Sequence, residues 1–157
     1  MKLLQYLAQP ADAFVVETVT DGRRTSASRD FQIARDLLNQ GRPQEVVKLV
    51  TAAIEAEPKS TALKVLLIEA LADLKLADQA MVMLDGLPID AVPAAHRDTL
   101  RGRIHISGGK WDLAKASLKR ALASDPALSD AHYLLGQVHE HEGDWQRAAA
   151  EYRASRR

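Results

Sequence analysis

Downstream of residue 26, apolar residues return at three- and four-residue intervals in short runs broken by Gly, Pro, Asp and Ser. That is the periodicity of amphipathic helices. The breaks are themselves periodic: Pro58, after Ala-Glu, and Pro126, after Ser-Asp, stand 68 residues apart, or twice 34. Blocks 27–60, 61–94, 95–128 and 129–157 then align without gaps, and each reads as two helical patterns around a short turn. Small residues share block positions: Gly102 and Gly136 at the eighth, and Ala80, Ala114 and Ala148 at the twentieth beside Val46. Val50, Leu84, Leu118 and Tyr152 share the twenty-fourth position, and Ala53, Leu87 and Ala121 the twenty-seventh, along one helical face.

The turns follow the same spacing. Gly41, Gly109 and Gly143 occupy the fifteenth position, where a helix ends on a left-handed residue. Lys75 holds that place in the second block, so its turn is either strained or differently built. Pro43 suits the first turn of a helix, Ser60 and Ser129 read as N-caps, and residues 87–93 read as a loop. Residues 1–26 lie outside the repeat and read as an N-terminal arm or cap, with strand-like composition over residues 13–20. The last helix has no following helix to cover it, which leaves two routes to self-association. One pairs exposed ends; the other uses Leu3, Leu4, Leu7 and Phe14 of the arm as a cover.

The residues Leu135-Gly136, Gly143-Asp144-Trp145, Ala148 and Tyr152 of the fourth block resemble the tetratricopeptide repeat family. The third block is similar through Gly102, Gly109, Trp111, Ala114, Leu118, Ala121 and Asp125-Pro126; the first keeps Ile33-Ala34, Gly41, Ala53 and Pro58. Arg101, His105 and His139 depart from the family's apolar or aromatic choices. The resemblance implies an all-α fold, a right-handed superhelical solenoid of about four helical hairpins. No hairpin buries its apolar face alone, so neighbours must stack.

Composition narrows the chemistry. Lys plus Arg and Asp plus Glu both total 21, so no overall field draws a polyanion, and nucleic acid is not an expected partner. The absence of cysteine excludes disulfides, thiolate metal sites and a cysteine nucleophile. No apolar run is long enough to span a bilayer and the N-terminus does not read as an export signal, so a cytoplasmic location is expected. His132, His139 and His141 lie close in sequence, but the second and third diverge by about 200° around a helix and close poorly on one ion. Neither they nor Asp144-Trp145 nor Gly108-Gly109 completes a catalytic constellation. The chain reads as a non-enzyme with neither metal nor cofactor.

In the family, block positions 2, 5, 6, 9, 12 and 13 usually face an inner groove. Carried onto this chain, the resemblance implies a protein-binding set of Phe31, Arg35, Val65, Leu66, Glu69, Leu100, Arg103, Tyr133, Leu134 and Gln137. About half of the apolar members are expected to pack between first helices instead. Arg35 and Arg103 share position 9, with Glu69 between them limiting a continuous basic field. Val65, Thr99 and Tyr133 replace the polar or basic contacts with which some family members clamp a chaperone's terminal carboxylate. The expected function is therefore a scaffold or adaptor that holds a peptide or helix of mixed charge. A regulatory or targeting domain of a larger enzyme or assembly is the alternative.

Overall fold

The computed structural model describes Val19–Thr20, Arg23–Arg24 and residues 26–157, with side chains from residue 28 onward. Two short strands, β1 (Val19–Thr20) and β2 (Arg23–Arg24), pair antiparallel, Val19 with Arg24 and Thr20 with Arg23. Eight helices follow among the described residues. They are α1 (Ser26–Asn39), α2 (Pro43–Ala56), α3 (Thr61–Asp73), α4 (Ala77–Asp85), α5 (Ala94–Ser107), α6 (Trp111–Ser124), α7 (Ser129–His141) and α8 (Trp145–Ser155). They form four consecutive hairpins stacked as an all-α repeat solenoid. The packing expected of Leu3, Leu4, Leu7 and Phe14 lies outside the described residues.

All four hairpin turns are built alike. Gly41, Gly109 and Gly143 have φ of 73°, 72° and 79°, and Lys75 has φ of 64°. In each turn the following amide reaches back to a carbonyl one helical turn earlier: Arg42 to Leu37, Leu76 to Leu71, Lys110 to His105 and Asp144 to His139, at 2.8–3.0 Å. The left-handed residue itself donates to Leu38, Ala72, Ile106 or Glu140, completing a Schellman cap. Lys75 therefore keeps the glycine turn, at a cost of about 1–2 kcal/mol for a side chain in that conformation.

Pro43 opens α2, and Ser60 caps α3 by accepting from the Leu63 amide at 3.4 Å. Ser129 differs from expectation: it is the first residue of α7, and Leu128 is the N-cap. Asp125 Oδ1 accepts from the Ala127 amide at 3.1 Å, and this local turn carries the chain into the helix one residue early. The loop after α4 replaces the last turns of that helix. Arg97 fixes it by donating to the carbonyls of Leu84 (3.0 Å) and Pro88 (2.6 Å).

Among the described residues the core falls into three clusters. Phe31, Val46, Val50, Leu63 and Leu66 join the first repeat to α3. Val65, Ile68, Leu84, Leu100 and Ile104 join α3 and α4 to α5. Leu118, Ala121, Leu134, Leu135 and Val138 join α6 to α7. Central α3 contributes to two of them, which is why its apolar residues are spread around the helix and not confined to one stripe, as in a helix enclosed by its neighbours. Glycine at the eighth position sets helix separation. Hairpins α5/α6 and α7/α8, with Gly102 and Gly136, bring their backbones closer than α1/α2 and α3/α4, where Ala34 and Ile68 stand.

Candidate functional site

Each first helix packs on the next, α1 on α3, α3 on α5 and α5 on α7, whereas successive second helices are not in comparable contact. The closely spaced row lies on the inside of the curve, and the repeat places its own polar positions there. Position 9 forms a ladder of Arg35, Glu69, Arg103 and Gln137. Arg35 Nη1 meets Glu69 Oε2 at 2.8 Å, and the Arg35 guanidinium lies 5.6 Å above the Phe31 ring. Arg103 Nη1 donates to Asp73 Oδ1 at 3.4 Å. Burial opposes the Arg103 charge, but the carboxylates of Glu69, Asp73 and Asp130 outweigh it and hold the guanidinium above its usual range.

On this inner surface α3, α5 and α7 enclose a cleft of about 630 Å³, bordered by Asp73, Lys75, Arg103, Ile106, Tyr133 and Gln137. At one side Trp111 and His141 stack with centroids 4.0 Å apart and planes 9° from parallel. At another, Glu140 accepts the Tyr152 hydroxyl at 2.6 Å, and Tyr152 lies 5.6 Å from the Tyr133 ring. Burial first, then the bond to Glu140 and its charge, push the Tyr152 phenol up to about 12. Tyr133 is 49% exposed and presents its ring to the opening.

Four of the ten residues expected in the groove, Arg103, Tyr133, Leu134 and Gln137, line this cleft together. The other apolar members lie deeper, as about half of them were expected to. Phe31, Val65, Leu66 and Leu100 are buried in the first two core clusters, as Leu134 is in the third, because neighbouring first helices lie close enough to cover them. Arg35 and Glu69 are spent on each other, further along the ladder. Asp73, Ile106, Ser107, Glu140 and His141 were not singled out as groove residues from the sequence, although block positions 12 and 13 contain them.

The clustered histidines serve separate contacts. His132 lies 2.6 Å from Glu151 and 2.8 Å from the Pro126 carbonyl, His139 lies 3.1 Å from Glu142, and His141 is on Trp111. Burial lowers the His132 basicity, but the bonds to Glu151 and Pro126 and the Glu151 charge raise it further than burial depresses it. Among the described residues, no group of three or more His, Cys, Asp and Glu side chains is disposed to hold a metal ion. No described helix is long and apolar enough to cross a membrane.

Known proteins bear on the fold and family. A solved structure of MamA 41-end from Desulfovibrio magneticus RS-1 is similar at 20% identity and a TM-score of 0.58, covering 83% of this chain and 73% of that one. Another, described as the crystal structure of MamA, covers 98% of this chain and 89% of its own at 14% identity and a TM-score of 0.55. At such identities the likeness concerns fold. No curated protein sequence matches the chain significantly. Two family models, each described as tetratricopeptide repeat, match residues 37–104 and 99–157. With four in-register hairpins, four Schellman turns and matches that together span residues 37–157, the chain belongs to the tetratricopeptide repeat family, whose stacked hairpins are a scaffold for protein interaction.

Proposed function

We propose that the protein works by holding a peptide segment of a partner protein in the inner cleft formed by α3, α5 and α7. The observation that carries this reading is convergence. Side chains from three repeats border one opening of about 630 Å³ that offers the exposed Tyr133 ring, the apolar edge of Ile106 and a set of polar groups. An amphipathic ring on a rigid helix is a good anchor, because it contributes contact area with few torsions to freeze. Stacked hairpins supply rigidity, so little ordering of the receptor accompanies binding.

The reading is of a non-catalytic adaptor. Arg103 and Asp73 are paired with each other and Glu140 with a phenol, so these groups shape and charge the cleft and do not form a nucleophile with its base. The test begins with selection of displayed random peptides on the full chain, followed by affinity measurements with Tyr133→Ala. Loss of about 1–3 kcal/mol of binding is expected, with circular dichroism unchanged. Selected peptides that bind Tyr133→Ala as tightly as the parent chain would remove the cleft from the functional account.

A further inference from the structure

One turn breaks the repeat's own rule. The first, third and fourth turns use glycine in the left-handed conformation, whereas the second holds Lys75 there at φ 64° with the same hydrogen bonds. A lysine at such a place is a standing strain that glycine would relieve. Lys75 borders the inner cleft and also a second opening of about 430 Å³ at the edge between the second and third turns.

The charges around Lys75 are unequal in availability. In the inner cleft Asp73 is engaged by Arg103 and Glu140 by the Tyr152 hydroxyl. The Lys75 ammonium has neither a hydrogen bond nor an ion pair among the described residues. The second opening adds Lys110 and His105 against the single carboxylate of Asp78. The field there is positive: His105 is held below its ordinary value by burial, and then by the charges of Lys110, Arg101 and Arg120.

Resting on the proposed groove, we infer that Lys75 is a specificity-determining residue that receives an aspartate or glutamate side chain of the bound peptide where it passes from the inner cleft toward the turn edge. The peptide is anchored by an apolar residue at Tyr133 and carries acidic residues on the Lys75 side. The strain at the turn is retained because it holds a cation at the lip of the cleft, where glycine would offer none. Lys110 reinforces the same preference from the next turn.

The test uses the peptides selected on the full chain, synthesised with amidated C-termini so that only side-chain carboxylates are offered. Acidic residues are expected to be enriched among them. Lys75→Gly should melt at a higher temperature than the parent and bind acidic peptides about three- to tenfold more weakly with a shallower salt dependence, while Lys75→Arg retains binding. Changing the peptide's Glu to Gln should cost the same factor with the parent chain and clearly less with Lys75→Gly, where only Lys110 remains to favour the carboxylate. Equal binding of acidic peptides by Lys75→Gly overturns the inference; if Tyr133→Ala still weakens them, the groove itself stands. If neither variant changes binding, or no peptide is selected, the groove reading falls and this inference with it.

Discussion

Glu69→Ala unfolds in urea with its stability reduced by about 2–4 kcal/mol, one of the two largest single effects expected in this chain. The carboxylate side chain is only 6% exposed, and its partner Arg35 is 19% exposed. Removing one member of a buried pair leaves the other charge without compensation, and that penalty exceeds what the pair contributes over an apolar replacement. Arg35 has little to fall back on, since its Nη2 is already buried without a hydrogen-bond partner among the described residues. Arg103 lies within the same field, so alanine also removes one of the carboxylates that favour its charge, although Asp73 remains its partner. Glu69→Gln, which keeps a hydrogen-bond acceptor, should fall between. Arg35→Met with Glu69→Leu should recover most of the loss, because the site is then apolar throughout. A change under about 0.5 kcal/mol for Glu69→Ala would show that the ion pair is as loose as a surface one.

The second large effect lies at the two close helix contacts. A Cβ on Gly102 would stand 2.6 Å from Cγ and Cδ2 of Leu118, and one on Gly136 would stand 2.6 Å from Cε1 and 2.7 Å from Cδ1 of Tyr152. Alanine improves helix propensity by about 1 kcal/mol over glycine, which opposes the clash. Leu118 is fully buried and its branch point is among the crowded atoms, so it cannot swing aside. Overpacking of this kind costs about 1–3 kcal/mol for a methyl group, and Gly102→Val adds further methyls and exceeds that range. Coupling is the diagnostic measurement. Leu118→Ala alone should cost about 2–5 kcal/mol through its cavity, and adding Gly102→Ala should then cost nothing or restore stability. Strict additivity of the two changes would mean that the helices separate freely and that glycine does not set their distance.

The repeat was legible because its turn chemistry and small-residue positions recur in register, and such recurrence outweighs the weakness of any single motif. Even Lys75 fell in place: the hydrogen bonds of the turn come from the backbone, so the geometry survives a change of side chain. Ser129 was misassigned as a cap because a serine before a helical run carries the same local signal whether or not a preceding Asx turn shifts the boundary. Depth was the harder quantity. Position within the block tells which way Phe31, Leu66 and Leu100 point, but only the spacing of neighbouring first helices decides whether that direction ends in solvent or in another helix. Contacts such as Tyr152 with Glu140, or Trp111 on His141, join residues whose types alone do not announce a pairing.

The division of the core has a kinetic meaning. Two clusters are joined through α3, which gives buried residues to both, while the third, between α6 and α7, draws no buried residue from α3. In a linear array, each boundary is a place where opening can stop. Helices α6, α7 and α8 thus form a unit able to fray while the central helix stays closed, and amide hydrogen exchange should divide there, with slow amides in α3 and faster ones in α7 and α8. Uniform protection across those helices would mean a single cooperative block. Because Tyr133 belongs to the looser unit and Asp73 to the tighter one, an occupant spanning the cleft would act as a clasp, slowing exchange in α7 without touching most of its amides.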